Sequence, residues 1–174
     1  MSWVIYLHPT KKNPAWDQLS SYFKHVRAEA INKKLGPNQA LNYPFHISLT
    51  SFFDSSSEAE IESILDAINE GGNGLKIDEV GYVTKDNMIV VGIKSDSINN
   101  FIESLQEQFP ELIESPSKEN LHLTLAYQFS PKDYQKIIQI IKQHIDLTTW
   151  DPREWTVKLW YYDPRSATWD LMRN

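Results

Sequence analysis

The sequence predicts an α+β fold of two similar lobes: two antiparallel sheets facing a central cleft, with helices on the outer faces. Three observations lead there. The stretch Phe45-His46-Ile47-Ser48-Leu49 returns as Leu121-His122-Leu123-Thr124-Leu125, and each copy reaches a phenylalanine seven positions after its histidine, Phe53 and Phe129. Around these copies the order reads strand, helix, motif strand, helix, hairpin, then helix, motif strand, helix, hairpin, an internal duplication in outline. Finally, 174 residues are enough for a sizeable core and require no second independent domain, so residues 1–174 are read as one domain with two pseudo-symmetric lobes.

In a strand, successive side chains point to opposite faces. His46 and Ser48 therefore share one face while Phe45, Ile47 and Leu49 share the other, and the same holds for His122 with Thr124. One such strand is ordinary. Two matching copies in a chain with five histidines are not readily a coincidence.

In order, Ser2 to Leu7 is a β-branched and aromatic run that reads as a strand and breaks at His8-Pro9. Asn13 caps a helix with Pro14 at its first position, and Trp16, Leu19, Tyr22/Phe23, Val26 and Ala30/Ile31 keep helical spacing until Gly36-Pro37. His25 on this helix is read as a surface residue. Tyr43-Pro44 delivers the chain, extended, into the first motif strand. After Phe53, Ser57 and Glu60 have capping-box spacing at the head of a helix with Ile61, Ile64/Leu65 and Ile68 inward. Gly71-Gly72-Asn73-Gly74 is read as a turn; a Walker-type phosphate loop needs Gly-Lys-Ser/Thr entering a helix, and these glycines enter a strand.

A hairpin follows, Leu75 to Thr84 and Met88 to Lys94, turning at Lys85-Asp86-Asn87. The third helix starts near Asp96, buries Ile98, Phe101/Ile102, Leu105 and Phe109, and ends at Pro110. Beyond the second motif strand, Ser130 as cap and Pro131 at the first position open a fourth helix with Tyr134, Ile137/Ile138 and Ile141 inward. His144, near its C-terminus, is read as structural. Glu154 to Tyr162 and Ala167 to Met172 form the last two strands around a turn at Asp163-Pro164-Arg165-Ser166.

Composition narrows the function classes. With no cysteine, disulfides and thiolate metal sites are excluded. A formal charge of −6 argues against tight binding of long nucleic acid, which relies on neutralising many phosphates. The sequence has no apolar run long enough to span a bilayer, and MSWVIYLHPTKK lacks the features of a signal peptide, so a cytoplasmic protein without a membrane partner is expected. A monomer is the expectation for oligomeric state.

Two imidazoles that titrate near pH ~6.5 form an acid-base pair in which one accepts a proton while the other donates one. Hydroxyls on the same face donate to non-bridging phosphoryl oxygens as charge builds there. A cyclic phosphodiester between adjacent hydroxyls suits this layout: one histidine activates water and the other protonates the departing oxygen. Which histidine is the base is not legible. Ser48 and Thr124 make poor nucleophiles, because no carboxylate orients either histidine in a triad pattern. A metal site would need a third ligand, and spacings such as H-x-x-x-H are absent, so neither metal nor cofactor is expected.

At these residues the sequence resembles a family. His46-Ile47-Ser48-Leu49 and His122-Leu123-Thr124-Leu125 look like the paired H-x-[S/T]-x signature of the 2H phosphoesterases. The run from His122 to Phe129 is similar to the second motif of the phosphoesterase domain in the suppressor of T-cell receptor signalling proteins. The tail, with Asp163, Arg165, Ala167 and Trp169, is similar to that domain's C-terminal segment. The ubiquitin-binding, SH3 and histidine-phosphatase parts of those proteins have no counterpart in this sequence, so their signalling role does not carry over. The resemblance implies a bilobal, metal-independent cyclic phosphodiesterase domain acting on a small nucleotide or oligonucleotide, with His46 and His122 catalytic and Ser48 and Thr124 holding phosphate.

Tyr43, Tyr127, Phe52 and the terminal tyrosines are candidates to stack a nucleobase, although strict alternation points Tyr127 into the core. Lys11, Lys12 and Arg165 are weaker phosphate candidates, and His8 a weaker cleft candidate. The same pair also fits cleavage of 3′,5′-linked cyclic di- or trinucleotides or of 2′-5′ oligoadenylate. A non-catalytic nucleotide sensor is the alternative from another class.

Overall fold

The computed structural model describes residues 2–33, 38–85, 87–114, 120–163 and 168–171. These form four helices and one eight-stranded antiparallel sheet. The strands are β1 (Ser2–Pro9), β2 (Ile47–Ser48), β3 (Phe53–Asp54), β4 (Glu79–Lys85), β5 (Met88–Lys94), β6 (His122–Tyr127), β7 (Trp155–Asp163) and β8 (Thr168–Leu171). The helices are α1 (Pro14–Lys33), α2 (Glu58–Gly71), α3 (Asp96–Gln108) and α4 (Tyr134–His144).

Across the sheet the order is β4-β5-β6-β2-β1-β7-β8, with β3 also pairing β1. This corrects the expectation of two separate sheets. Local periodicity identified the strands other than β3, but β2 pairs with both β6 and β1 and fuses the two halves into one ladder. The two motif strands thereby become neighbours at the middle of the sheet.

The core lies on one face. Ile5 and Leu7 of β1, Ile47 of β2, Leu123 and Leu125 of β6, and Val157 and Leu159 of β7 are buried there with Leu19 and Tyr22 of α1, Ile64 of α2, Ile98 of α3 and Ile137 of α4. Fully burying an aliphatic side chain is worth about 1.5–3 kcal/mol, so this one cluster fixes which face each strand turns inward. On β1 the alternate residues Val4, Tyr6 and His8 are also buried, outside that cluster. Both faces of the central strand are covered.

Caps follow the sequence in outline. Asn13 Oδ1 accepts from the Ala15 amide (3.1 Å), Ser57 Oγ from Glu60 N (3.3 Å) and Ser95 Oγ from Ile98 N (3.1 Å). The expected capping box is rearranged, because Ser55 Oγ donates to the Glu60 carboxylate (2.7 Å) and accepts from Ser57 N (3.1 Å). Ser130 makes no side-chain cap; Pro131–Asp133 is a 3-10 turn before α4. The expected stop at Gly36-Pro37 and the final turn, with Arg165, fall outside the described residues.

Candidate active site

In the antiparallel pairing of β2 with β6, Ile47 stands opposite Leu123, and both are fully buried. Their neighbours therefore face the other way. Carried one residue in each direction, this register sets His46 beside Thr124 and Ser48 beside His122. Each imidazole thus neighbours the other motif's hydroxyl. Tyr6 of β1 lies opposite Ser48, and Gly92 of β5 opposite His122, so the row through Ser48 has an aromatic ring at one side and no side chain at the other.

The regular part of β2 is shorter than the motif. Pro44 has no N–H for a ladder, and Phe45 leaves the strand to pack on Trp16 and Phe23, with ring centroids 5.2 and 5.8 Å apart. After Ser48, Thr50 Oγ1 accepts from the Ile5 amide (3.1 Å) in place of a backbone partner.

Both motif histidines are held in the same way. His46 Nδ1 donates to the Pro44 carbonyl (2.5 Å), and His122 Nδ1 donates to the Asn120 carbonyl (2.6 Å). A carbonyl only accepts, so Nδ1 carries the proton in both rings and Nε2 is the nitrogen left for chemistry. The two copies agree down to the tautomer.

Their surroundings differ. His46 is half-buried, with its ring stacked on Tyr6 at 3.7 Å between centroids and 17° between planes, whereas His122 is exposed. Burial lowers the His46 pKa to about 4; the hydrogen bond to Pro44 opposes the shift, and the nearby His122 charge adds to it. His46 is neutral at pH 7.

His8 is adjacent to His46 in the sheet and is not a third acid-base group. Its Nδ1 donates to the Phe45 carbonyl (2.9 Å) and its Nε2 accepts from Trp160 Nε1 (2.8 Å), so both nitrogens are occupied and the ring is neutral. Burial first, then the His46 and Lys158 charges, lower its pKa to about 3 against a smaller opposing contribution from the Phe45 bond. It ties the segment before His46 to β7. The strand expected from the sequence ends at Leu7, whereas β1 runs through His8 to Pro9, and the partner of His8 is 152 positions away.

Tyr127 is a correction. Ile89 pairs with Ala126 and Val90 with Thr124, which leaves Leu125 as an extra residue in β6. This bulge reverses the alternation, so Tyr127, opposite Met88, shares the face of His122 and Thr124 and is half-buried, packed against the edge of the core. The buried Tyr22 hydroxyl donates to the Leu125 carbonyl (2.8 Å).

Tyr43 joins Tyr127. A 3-10 turn, Gln39–Asn42, precedes it, and Asn38 Oδ1 accepts from the amides of Ala40 (3.1 Å) and Tyr127 (3.3 Å), fastening the turn to β6. The Tyr43 ring meets the edge of His46 at 6.4 Å, and its hydroxyl is hydrogen-bonded to that of Tyr127. Burial and then Tyr43 raise the pKa of both Tyr6 and Tyr127, so these phenols remain protonated donors. Phe52 is 54% exposed in the link between β2 and β3.

Lys11 and Lys12 are exposed beyond β1, away from the motif strands in sequence. His25 and His144 pack together on α1 and α4, with ring centroids 5.1 Å apart, and His144 Nδ1 hydrogen-bonds Ser21 Oγ (3.0 Å). Among the described residues, no three His, Asp or Glu side chains group so as to hold a metal ion, and no helix is long and apolar enough to cross a membrane.

Comparison with family models and with curated proteins gives no match. Among solved structures, the chain is similar to Usb1 of Kluyveromyces marxianus, with 14% identity, a TM-score of 0.45, and coverage of 91% of this chain and 92% of that one. The structure of the same protein with uridine monophosphate matches with 12% identity, the same TM-score and the same coverage.

Proposed function

We propose that this protein is a metal-independent phosphodiesterase that opens 2′,3′-cyclic phosphates of nucleotides or RNA ends. The observation that carries the reading is the Ile47–Leu123 register, which gathers His46, Ser48, His122 and Thr124 on one face while carbonyls lock both imidazoles with Nε2 free. In this reading His46, neutral because it is buried, accepts a proton from water at Nε2. The resulting hydroxide attacks phosphorus, the bond from phosphorus to one ribose oxygen breaks, and His122 Nε2–H delivers a proton to that oxygen. The hydroxyls of Ser48 and Thr124 donate to the non-bridging oxygens as charge accumulates on them. Tyr43 and Tyr127, joined through their hydroxyls, border the substrate on the β6 side. Residues 1–174 work as one domain whose two lobes are the halves of one sheet.

The test is product analysis by chromatography in EDTA, with 2′,3′-cyclic mononucleotides, 2′-5′ oligoadenylate and 3′,5′-linked cyclic dinucleotides offered to wild type and to His46→Ala and His122→Ala. The expected result is ring opening by wild type and a loss of about three or more orders of magnitude in each variant, with unchanged far-UV circular dichroism. Near-wild-type turnover in either variant would remove the assignment. Cleavage of only the oligonucleotides would move the function to signal degradation.

A further inference from the structure

Beside the histidines, on the same face of the sheet, lies a groove of about 500 Å³ that the reaction proposed above does not use. Trp16 of α1, Phe45 before β2 and Trp160 of β7 contribute aromatic walls; Lys11 and Lys158 add two ammonium groups, Thr156 and Thr10 two hydroxyls, the latter donating to the Glu154 carboxylate (2.7 Å), and among the described residues no carboxylate lines the groove directly. In a chain with a formal charge of −6, this is a local concentration of positive charge against aromatic rings.

The groove is continuous with the candidate site. Phe45 precedes His46 in the chain, and His8, which forms part of the groove wall, pairs with Thr156 and is adjacent to His46. A ring path leads the same way: His46 stacks on Tyr6, and the Tyr6 ring lies 6.4 Å from Trp160. Tyr6 pairs with Ser48 on one side and Lys158 on the other, so Lys158 and Ser48 share a row two strand spacings apart. That is about 10 Å across the sheet. A phosphate bound between Ser48 and Thr124 leaves Lys158 beyond its own ribose and within reach of the next nucleotide.

We infer that this groove is a subsite for the second nucleotide of an oligonucleotide, Lys158 and Lys11 meeting the internucleotide phosphate and the Trp16, Phe45 and Trp160 walls taking its base. Planar bases stack on such rings whatever their identity, and ammonium groups on the rim pair with the backbone. The inference rests on the proposed phosphodiesterase reading. It specifies an RNA end rather than a mononucleotide as the preferred substrate. His8, holding both Trp160 and the Phe45 carbonyl, makes one wall of the groove and the approach to His46 a single hydrogen-bonded unit.

The experiment compares kcat/KM for adenosine 2′,3′-cyclic phosphate and for the dinucleotide ApA ending in a 2′,3′-cyclic phosphate, in wild type, Lys158→Met and Trp16→Leu. Lys158 and Trp16 are half-buried, and neither is part of the histidine machinery. Wild type is expected to prefer the dinucleotide by about tenfold or more, and each variant to lose most of that preference with mononucleotide turnover unchanged. Equal kcat/KM for the two substrates, or a preference that survives both substitutions, overturns the subsite and leaves the phosphodiesterase intact. Turnover of neither substrate by wild type overturns both.

Discussion

Tyr22→Phe tests the bulge that turns Tyr127 towards the face of the motif histidines. Tyr22 is fully buried, and its hydroxyl donates to the carbonyl of Leu125, the residue left over between the Ile89–Ala126 and Val90–Thr124 pairs. Phenylalanine keeps the ring and its packing and removes one donor. The Leu125 carbonyl then stays buried without its bond, which costs about 1–3 kcal/mol. For a chain of this length each kcal/mol lowers Tm by about 2–4 °C, so a drop of about 6 °C is expected in a thermal melt. Tyr82→Phe is the matched control. Its hydroxyl donates to the Ile145 carbonyl (3.0 Å) from a residue 41% exposed, where water replaces the lost donor, and a fall under about 2 °C is expected. If Tyr22→Phe melted within about 1 °C of wild type, or no lower than Tyr82→Phe, the bulge would not depend on this bond.

Two consequences of pH follow from the buried imidazoles. The acid limb of kcat/KM should have its midpoint near pH 4, because burial holds His46 neutral far below the usual imidazole range; a limb near pH ~6.5 in a profile down to pH 3.5 would place the base elsewhere. Stability should also fall on acidification: His8, with a folded pKa of about 3 and an unfolded value near 6.5, takes up a proton only when the chain unfolds, so its contribution is present above pH ~6.5 and is lost as pH falls towards 3. Between pH 7 and 5 wild type should lose about 2 kcal/mol more than His8→Gln in urea titrations, and equal losses would show that His8 is not held neutral.

What the sequence disclosed was local, and what it withheld depended on partners far along the chain. The alternation of His46 with Ser48 and of His122 with Thr124 is a property of five consecutive residues, and the caps at Asn13 and Ser57 lie within three residues of the amides they serve. The Leu125 bulge is different. Leu125 and Ala126 are both apolar and both buried, so nothing in β6 marks where alternation breaks; the register against Ile89 and Val90 decides it. Fusion of the two sheets rests on the single Ile47–Leu123 pair, 76 positions apart. The groove draws Trp16, Phe45 and Trp160 from a helix, a loop and a strand, so no local pattern brings the three together. Only the paired motifs gave reason to look on that face.

The duplication in the sequence also hides an asymmetry that the fold supplies. Both copies present a histidine with the same Nδ1 bond to a carbonyl two residues earlier, so sequence alone offers no basis for assigning acid and base. The neighbouring strands do. His46 comes next to β1, whose Tyr6 ring covers it, whereas His122 comes next to β5, where Gly92 places no side chain beside it. Covering the His46 imidazole disfavours its charged form. In the proposed reading, the tyrosine that flanks His46 and the glycine that flanks His122 set the two copies apart, and the covered imidazole supplies the lone pair. Exchanging the proposed roles would require burial to act in the opposite sense on His46.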